Sequence, residues 1–415
     1  MLLCAYLQEK GTHSHAFPDT KIMIFAAESK SVMNLIDKNS SKYSAMNDEY
    51  QLAIRFIFYD FCCGLVPERQ NKRRYSWLVR DLCVNLLGLK MMMLRPQNTP
   101  DRPLVSFIIT TFNTEPTMLR CCIDSIRSLS FGGERREIIV IDDGSDRPAI
   151  NELLDISDDI IYLRQRNQGI SVARNRGTDM ASGRYIQFVD SDDSLLRPAY
   201  EHCLDVARRL QPDMVGFAFT HRQCASVQED VNGPFDGADY MLRHSIKGAA
   251  WGYLFKKELL NGLRFRPDFD RYAEDEEFTA LLVLRAKRLF TTSAKAYFYR
   301  QHPHSVIHHL GKRDLIKRQV NTERAVRYLQ ERLASLPNPE WLALQRRIAQ
   351  LSMDYLYNTA RLTHSLTRLD KACERLRAHG LFPLPEQRYT RKYALFRRLC
   401  NTKWGRGIII AATFR

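Results

Sequence analysis

From residue 104 onward, short apolar runs alternate with stretches of helical spacing, and each run ends in small polar or acidic residues. Residues 104–110 (LVSFIIT), 137–141 (EIIVI) and 185–189 (YIQFV) are rich in β-branched and aromatic side chains, as expected of buried strands. Residues 160–163 make a weaker one. Leu119, Ile123 and Ile126 recur at helical spacing within 118–129, and 170–180 reads as another helix. Strands alternating with helices predict an α/β fold with a doubly wound, mostly parallel sheet. Ligands of such sheets bind beyond the carboxyl ends of the strands. Those ends carry Asn113, Asp143 and the run Asp190-Ser191-Asp192-Asp193.

The Asp190–Asp193 cluster is the most informative of these. Asp is a poor strand residue, and three crowded carboxylates repel one another unless a cation holds them. A hard divalent ion, Mg²⁺ or Mn²⁺, accepts one or two protein carboxylates and leaves positions for phosphate oxygens. The competing reading is a solvated acidic turn. Polar clusters at several strand ends together favour a site.

The ordered set VSFIITTFNTE, IIVIDDGSD, NQGISVARNRG, YIQFVDSDD and YAEDEEF resembles the family 2 glycosyltransferases over about residues 103–305. The resemblance implies a GT-A fold, a Rossmann-like α/β core, and a nucleotide-diphosphate sugar donor, with a UDP-sugar expected. Thr110, Phe112, Asn113 and Asp143 then fall on the nucleoside side. Phe112 stands where Tyr is common, so it can stack on a base but offers no hydroxyl, and Thr110 stands where many members have Pro. Arg174 and Asn175 match diphosphate and nucleotide contacts. Asp190 falls on the ribose side and Asp192 on the metal. Glu274 and Asp275 match the acceptor-side pair, with Asp275 as the base and Glu274 supporting it, while an acidic helix start favoured by the dipole is the plain alternative. Trp251 opens the acceptor-side stretch; an indole suits a sugar face, and a core Trp is the alternative. His302 and His304 compete for a further metal or diphosphate contact.

These residues agree with the chemistry. Cleaving a sugar–phosphate bond leaves growing negative charge on the diphosphate, which a metal and a guanidinium stabilise. The acceptor hydroxyl needs a base on the opposite face of the sugar, and one direct displacement inverts the anomeric centre. Two rivals remain: a nucleotidyltransferase, for which FNTEPTMLR lacks the Gly-rich basic loop, and a non-catalytic binder of sugar nucleotides or polyanions.

Downstream, 312–365 reads as helices broken at Leu336-Pro337-Asn338-Pro339, with Trp341, Leu344, Ile348, Leu351 and Tyr355 forming an apolar stripe. Three regions are therefore expected: an extension of unknown role (1–100), a catalytic domain (101–310) and a helical C-terminal region (311–415). Met91-Met92-Met93 stands close before the first strand and reads as a natural start of translation.

Charge singles out the end of the chain. Net charge is +15 over 415 residues, and 361–415 holds 13 Lys or Arg against Asp370, Glu374 and Glu386. Basic and aromatic residues interleave across 388–398, followed by the apolar run 407–414. This pattern suits an anionic membrane surface, with Tyr393, Phe396 and Trp404 inserting. No nucleic-acid module accompanies it, and a basic solvated helix face is the plain alternative. The tail reads as separable from the site. Ten cysteines without CxxC spacing suggest reduced cytoplasmic thiols. No stretch reaches the roughly 18–20 apolar residues of a membrane span, and the first residues lack a secretory pattern. The expected place is the cytoplasm, at the inner face of the membrane, and the expected acceptor is a saccharide or a lipid-linked saccharide of the cell surface.

Overall fold

Every residue of Val105–Ile109 is buried, because this strand lies in the middle of a sheet covered on both faces. A computed structural model describes residues 102–131, 135–223, 230–269, 273–301 and 312–414. Residues 1–100, and with them Met91–Met93, lie outside the described residues. In chain order the first half runs β1 (Val105–Thr111), α1 (Pro116–Arg127), β2 (Arg136–Asp142), β3 (Ile161–Arg164), α2 (Ile170–Met180), β4 (Tyr185–Asp190), β5 (Ser194–Leu195) and α3 (Arg197–Leu210). There follow β6 (Met214–Thr220), β7 (Asn232–Phe235), α4 (Gly237–Arg243), β8 (Tyr253–Lys256), α5 (Glu274–Arg285) and β9 (Leu289–Phe298). The C-terminal region is helical: α6 (Lys312–Leu333), α7 (Asn338–Thr363), α8 (Leu366–Ala378), α9 (Arg391–Cys400) and α10 (Lys403–Ala412).

Among the described residues one sheet has the order β3-β2-β1-β4-β8-β6-β9-β5, with β7 also on β9. The expected parallel half is present as β3-β2-β1-β4. The other half is mixed. β8 lies antiparallel to both β4 and β6, because the segment before it reaches the sheet at the edge where β4 ends, so β8 runs back from there.

Side-chain alternation sends β1 into two cores. Phe107 and Ile109 pack with Leu119, Ile123 and Tyr200 from α1 and α3. Ile108 faces the other way, with Ile139, Ile141, Ile186 and Phe188. Gly177 makes that second packing possible: a Cβ there would lie 2.3 Å from Ile108 Cγ2, so α2 needs a glycine to approach the strand.

The second core continues into the C-terminal helices. Leu344, Ile348, Leu351 and Tyr355 of the expected stripe are buried in it, together with Tyr393, Cys400, Ile409 and Ile410. Each such aliphatic or aromatic side chain contributes about 1.5–3 kcal/mol on burial. The tail is therefore not separable as expected: α9 and α10 complete a core that reaches Ile108.

Candidate active site

Three loops at the carboxyl edge of the parallel strands are tied to one another. Beyond β1, Asn113 adopts a left-handed conformation (φ 51°), which Asn tolerates better than most residues. Its N–H donates to Ser145 Oγ (2.9 Å), its Nδ2 donates to Asp146 Oδ2 (3.1 Å), and its Oδ1 accepts from Asp146 N–H (2.8 Å). Thr114 and Ser191 share a hydroxyl contact of 2.7 Å. Thr110 is level with Asp190 across the β1–β4 pairing, and Phe112 is exposed beside them.

Asp143, expected on the nucleoside side, is engaged by its own chain. Its buried carboxylate accepts from Gln165 Nε2 (2.7 Å), Gln168 N–H (2.9 Å) and Gly169 N–H (2.8 Å). It therefore holds the turn that starts α2. Gly144, at φ +79°, makes the bend just beyond it, where a Cβ would meet Asn167 N at 2.7 Å.

The acidic cluster separates into different roles. Asp193 turns inward and accepts from Arg300 N–H at 2.8 Å. Burial, with the charges of Asp190 and Asp192, pushes it up to about 8. Arg300 also donates from Nε to Asp192 O at 2.9 Å, closing the turn. Asp190 lies in the crevice, its N–H donating to Tyr297 Oη (3.1 Å). Burial raises its pKa; Arg174 opposes the rise and Asp192 adds to it. Asp192 is half-buried.

Among the described residues, no group of three or more His, Cys, Asp or Glu side chains is arranged to hold an ion by itself. The donors present at the crevice are Asp192 and Asp190, both hard oxygen ligands. That set fits a Mg²⁺ or Mn²⁺ ion completed by diphosphate oxygens, and a cation there would relieve the mutual repulsion that raises Asp190. His302 and His304 lie outside the described residues.

Arg174 joins this crevice to the acidic helix start. From α2 its Nη2 donates to Asp190 Oδ1 (3.1 Å), and its Nη1 donates to Asp275 Oδ1 (2.6 Å) and Glu274 Oε1 (3.2 Å). Burial acts to lower its pKa, but Asp275, Asp190 and Glu274 outweigh that and raise it. In this structure the guanidinium that the resemblance assigns to the diphosphate is engaged by three carboxylates of its own chain. Asn175, the expected nucleotide contact beside it, is engaged by backbone. Its Nδ2 donates to Phe265 O (2.7 Å) and its Oδ1 accepts from Phe265 N–H (2.9 Å). Phe265 in turn lies under Arg174, 5.2 Å from Cζ to ring centre, and stacks on Phe278. Adjacent residues of α2 therefore hold the guanidinium and its aromatic floor.

Glu274 and Asp275 open α5, where the helix dipole favours acids. Ala273 before them has φ 66°, an uncommon conformation for a residue with a Cβ. Asp275 Oδ2 also accepts from Ala250 N–H (3.3 Å). Burial pushes Asp275 up to about 7; Arg174 opposes the rise, and Glu274 and Asp190 add to it. A carboxylate near neutrality is suited to taking a proton from a hydroxyl.

Trp251 is the second reading of the pair offered above, a core residue. It stacks on Tyr297 with ring centres 4.4 Å apart and is 9% exposed, so the indole face offered to a sugar is covered. It supports the site indirectly, since Tyr297 accepts the Asp190 N–H. Gln187 is a residue that sequence reasoning missed. Buried within β4, it donates to Trp251 O (2.8 Å) and accepts from Tyr200 Oη (3.0 Å). Its signal was a lone amide in an apolar strand.

The loop after α4 is held from α7. Arg346 donates to Met241 O (2.5 Å) and His244 O (3.1 Å), and Arg347 donates to Ile246 O (3.3 Å) and pairs with Glu276. Nothing in the local sequence marked either arginine.

A twisted α/β sheet with a crevice over its parallel edge, an acidic turn after β4 and an acid pair opening the helix before β9 define the GT-A class. Residues 106–261 match the family Glycosyl transferase family 2. The Uncharacterized glycosyltransferase EpsJ of Bacillus subtilis (strain 168) is 31% identical over 224 residues, 49% of this chain and 63% of that protein. The GalNAc(5)-diNAcBac-PP-undecaprenol beta-1,3-glucosyltransferase of Campylobacter jejuni subsp. jejuni serotype O:2 is 31% identical over 184 residues, 40% of this chain and 56% of that one. The chain spans less than two thirds of the length of these relatives. The crystal structure of S. aureus TarS shares the fold, with a TM-score of 0.54 at 16% identity, over 73% of this chain and 53% of that one. The chain carries a family 2 glycosyltransferase domain.

Proposed function

We propose that this protein is an inverting glycosyltransferase of cell-surface polysaccharide synthesis, moving a sugar from a nucleotide-diphosphate donor to a saccharide or lipid-linked acceptor. A UDP-sugar is the proposed donor, from the family resemblance. The name of the Campylobacter relative contains a PP-undecaprenol acceptor, which supports a lipid-linked one here, and work at the inner membrane face would follow from it. The observation that carries the reading is the geometry at Asp275, a half-buried carboxylate linked through Arg174 to Asp190 at the strand ends.

In this reading Phe112 stacks on the base and Thr110 lines the nucleoside side. Asp190 faces the ribose, and Asp192, with Asp190 beside it, would hold a divalent ion. Such an ion, when bound, neutralises charge developing on the leaving diphosphate. Arg174 keeps Asp275 oriented, and Glu274 shares that guanidinium. Asp275 takes the proton of the acceptor hydroxyl as the oxygen attacks the anomeric carbon from the face opposite the leaving group. The C1–O bond to the diphosphate breaks with its electron pair leaving on the diphosphate, and the configuration inverts.

A panel of sugar nucleotides tests this, assayed for donor hydrolysis and for transfer to saccharide acceptors with the full chain. Release of nucleoside diphosphate from one donor, lost in Asp275→Asn, is the expected result. Release of pyrophosphate from a sugar phosphate and a nucleoside triphosphate would identify a nucleotidyltransferase instead. Tight nucleotide binding without turnover on any acceptor would leave a binding protein.

A further inference from the structure

The last two helices turn an apolar ridge toward solvent. On α9, Tyr393 and Cys400 are buried, and the opposite ridge at helical spacing is Arg391, Leu395 and Arg398, all exposed. On α10, Gly405, Arg406, Ile409 and Ile410 are buried, and the opposite ridge is Trp404, Ile408 and Ala411. Trp404 is 91% exposed, Leu395 63% and Ile408 56%. One exposed Leu is ordinary; large apolar side chains on the outward ridges of two successive helices are not. The helices are fixed to each other, because Gly405 lies against Leu399 so closely that a Cβ would be 2.1 Å from its carbonyl oxygen.

The charge around these ridges has one sign. No Asp or Glu occurs from 387 to 414. Arg397 pairs with Glu386 and Arg406 with Asp370. Arg388, Arg391, Lys392, Arg398 and Lys403 are exposed and make no ion pair with the described residues. No ion pair among the described residues ties these cations into the fold, and Trp404 stands almost wholly in solvent. Nucleic acid would engage the cations but has no use for Ile408 and Leu395. A bilayer with anionic headgroups uses both: Trp and aliphatic side chains enter the headgroup boundary while Arg and Lys extend to phosphates.

We propose that the outward ridges of α9 and α10 dock this protein on an anionic lipid surface, with Trp404 and Ile408 inserted and Arg391, Arg398 and Lys403 on the headgroups. This rests on the membrane-side reading above and changes the residues that carry it. Tyr393 lies in the core and Phe396 packs against it, so neither of those two sequence-based candidates inserts.

Co-sedimentation of the full chain with phosphatidylglycerol vesicles and with neutral phosphatidylcholine vesicles tests the proposal. Preference for the anionic vesicles, weakening with salt, is expected. The double variant Trp404→Ser/Ile408→Ser should bind about tenfold or more weakly, and Arg391→Glu/Arg398→Glu should bind more weakly still. Circular dichroism and transfer to a soluble acceptor should be unchanged in both. If the apolar double variant misfolds, the charge variants, whose side chains are exposed, carry the test alone. Wild-type affinity in both variants would overturn the face while leaving the membrane reading intact. Absence of wild-type binding to either vesicle would overturn both, yet leave the transferase assay untouched. Self-association lost in Trp404→Ser/Ile408→Ser, without vesicle binding, would assign the ridge to a second copy of the chain or another protein surface.

Discussion

Arg174 Nη1 lies 2.6 Å from Asp275 Oδ1, although they stand 101 positions apart in the chain. The other arm of the same guanidinium reaches Asp190. One buried cation therefore spans the acidic turn after β4 and the start of α5, so the charges of the two segments are coupled through it.

Replacing Asp275 with Asn keeps the shape and removes the proton acceptor. Transfer should fall by about 10²–10⁴-fold while nucleotide affinity, read by calorimetry, changes little. Collapse of nucleotide affinity with transfer preserved at saturating donor would reverse the assigned roles.

The same carboxyl sets a pH dependence. Its pKa is raised to about 7, so the ionised, proton-accepting form is depleted as pH falls below that value. The rate at saturating substrates should drop with acid through a limb near pH 7, and residual Asp275→Asn activity should lack the limb. A wild-type profile flat from pH 5 to 8 would exclude Asp275 as the titrating base.

Asp192→Ala should reduce donor turnover severely and leave the fold intact, because it removes like-charge repulsion from Asp190. Excess chelator should do the same to the native chain, with activity restored by Mn²⁺ or Mg²⁺. Full turnover in chelator would sink the metal role.

Arg174→Ala leaves buried Glu274 and half-buried Asp190 and Asp275 around a missing cation. Loss of one partner of such a cluster costs about 3–5 kcal/mol, measurable by chemical denaturation. Arg174→Lys retains charge but not the fork that reaches both sides. Its stability should largely recover while kcat stays low. Recovery of both would reduce Arg174 to a structural counter-ion.

Arg347→Ala should loosen the loop after α4 from α7. Because Ala250 N–H donates to Asp275, kcat for transfer should fall more than nucleotide affinity does. A loss in stability of about 3 kcal/mol is expected, and the double variant with Glu276→Ala should cost less than the sum of the singles. Strict additivity would show that the pair is not coupled.

Much of this architecture was readable along the chain. β1, β2, β4, α1 and α2 occupy the segments their periodicity predicts, because strand and helix patterns are local and their turns are written beside them. The acidic turn at Asp190–Asp193 was visible for the same reason: a polar cluster ending an apolar strand needs no distant partner to be noticed. The mixed half of the sheet was not readable, since strand direction there depends on where a returning segment meets the edge.

An acidic cluster at a strand end marked Asp190 and Asp192, and the family resemblance marked Arg174, Asn175, Glu274 and Asp275. What each touches was decided only by the tertiary structure. Arg174 meets carboxylates rather than open crevice because α5 brings Asp275 against α2. Asn175 spends its amide on Phe265, and Trp251 is covered by Tyr297. Tyr393 and Trp404, both aromatic residues in a basic tail, part ways because one side of each final helix closes on α7 and α8 and the other is left to solvent. Periodicity shows that a helix has two faces. Which face is desolvated, and hence which charges are perturbed and which apolar groups stay available, depends on segments far away in sequence that fold against it.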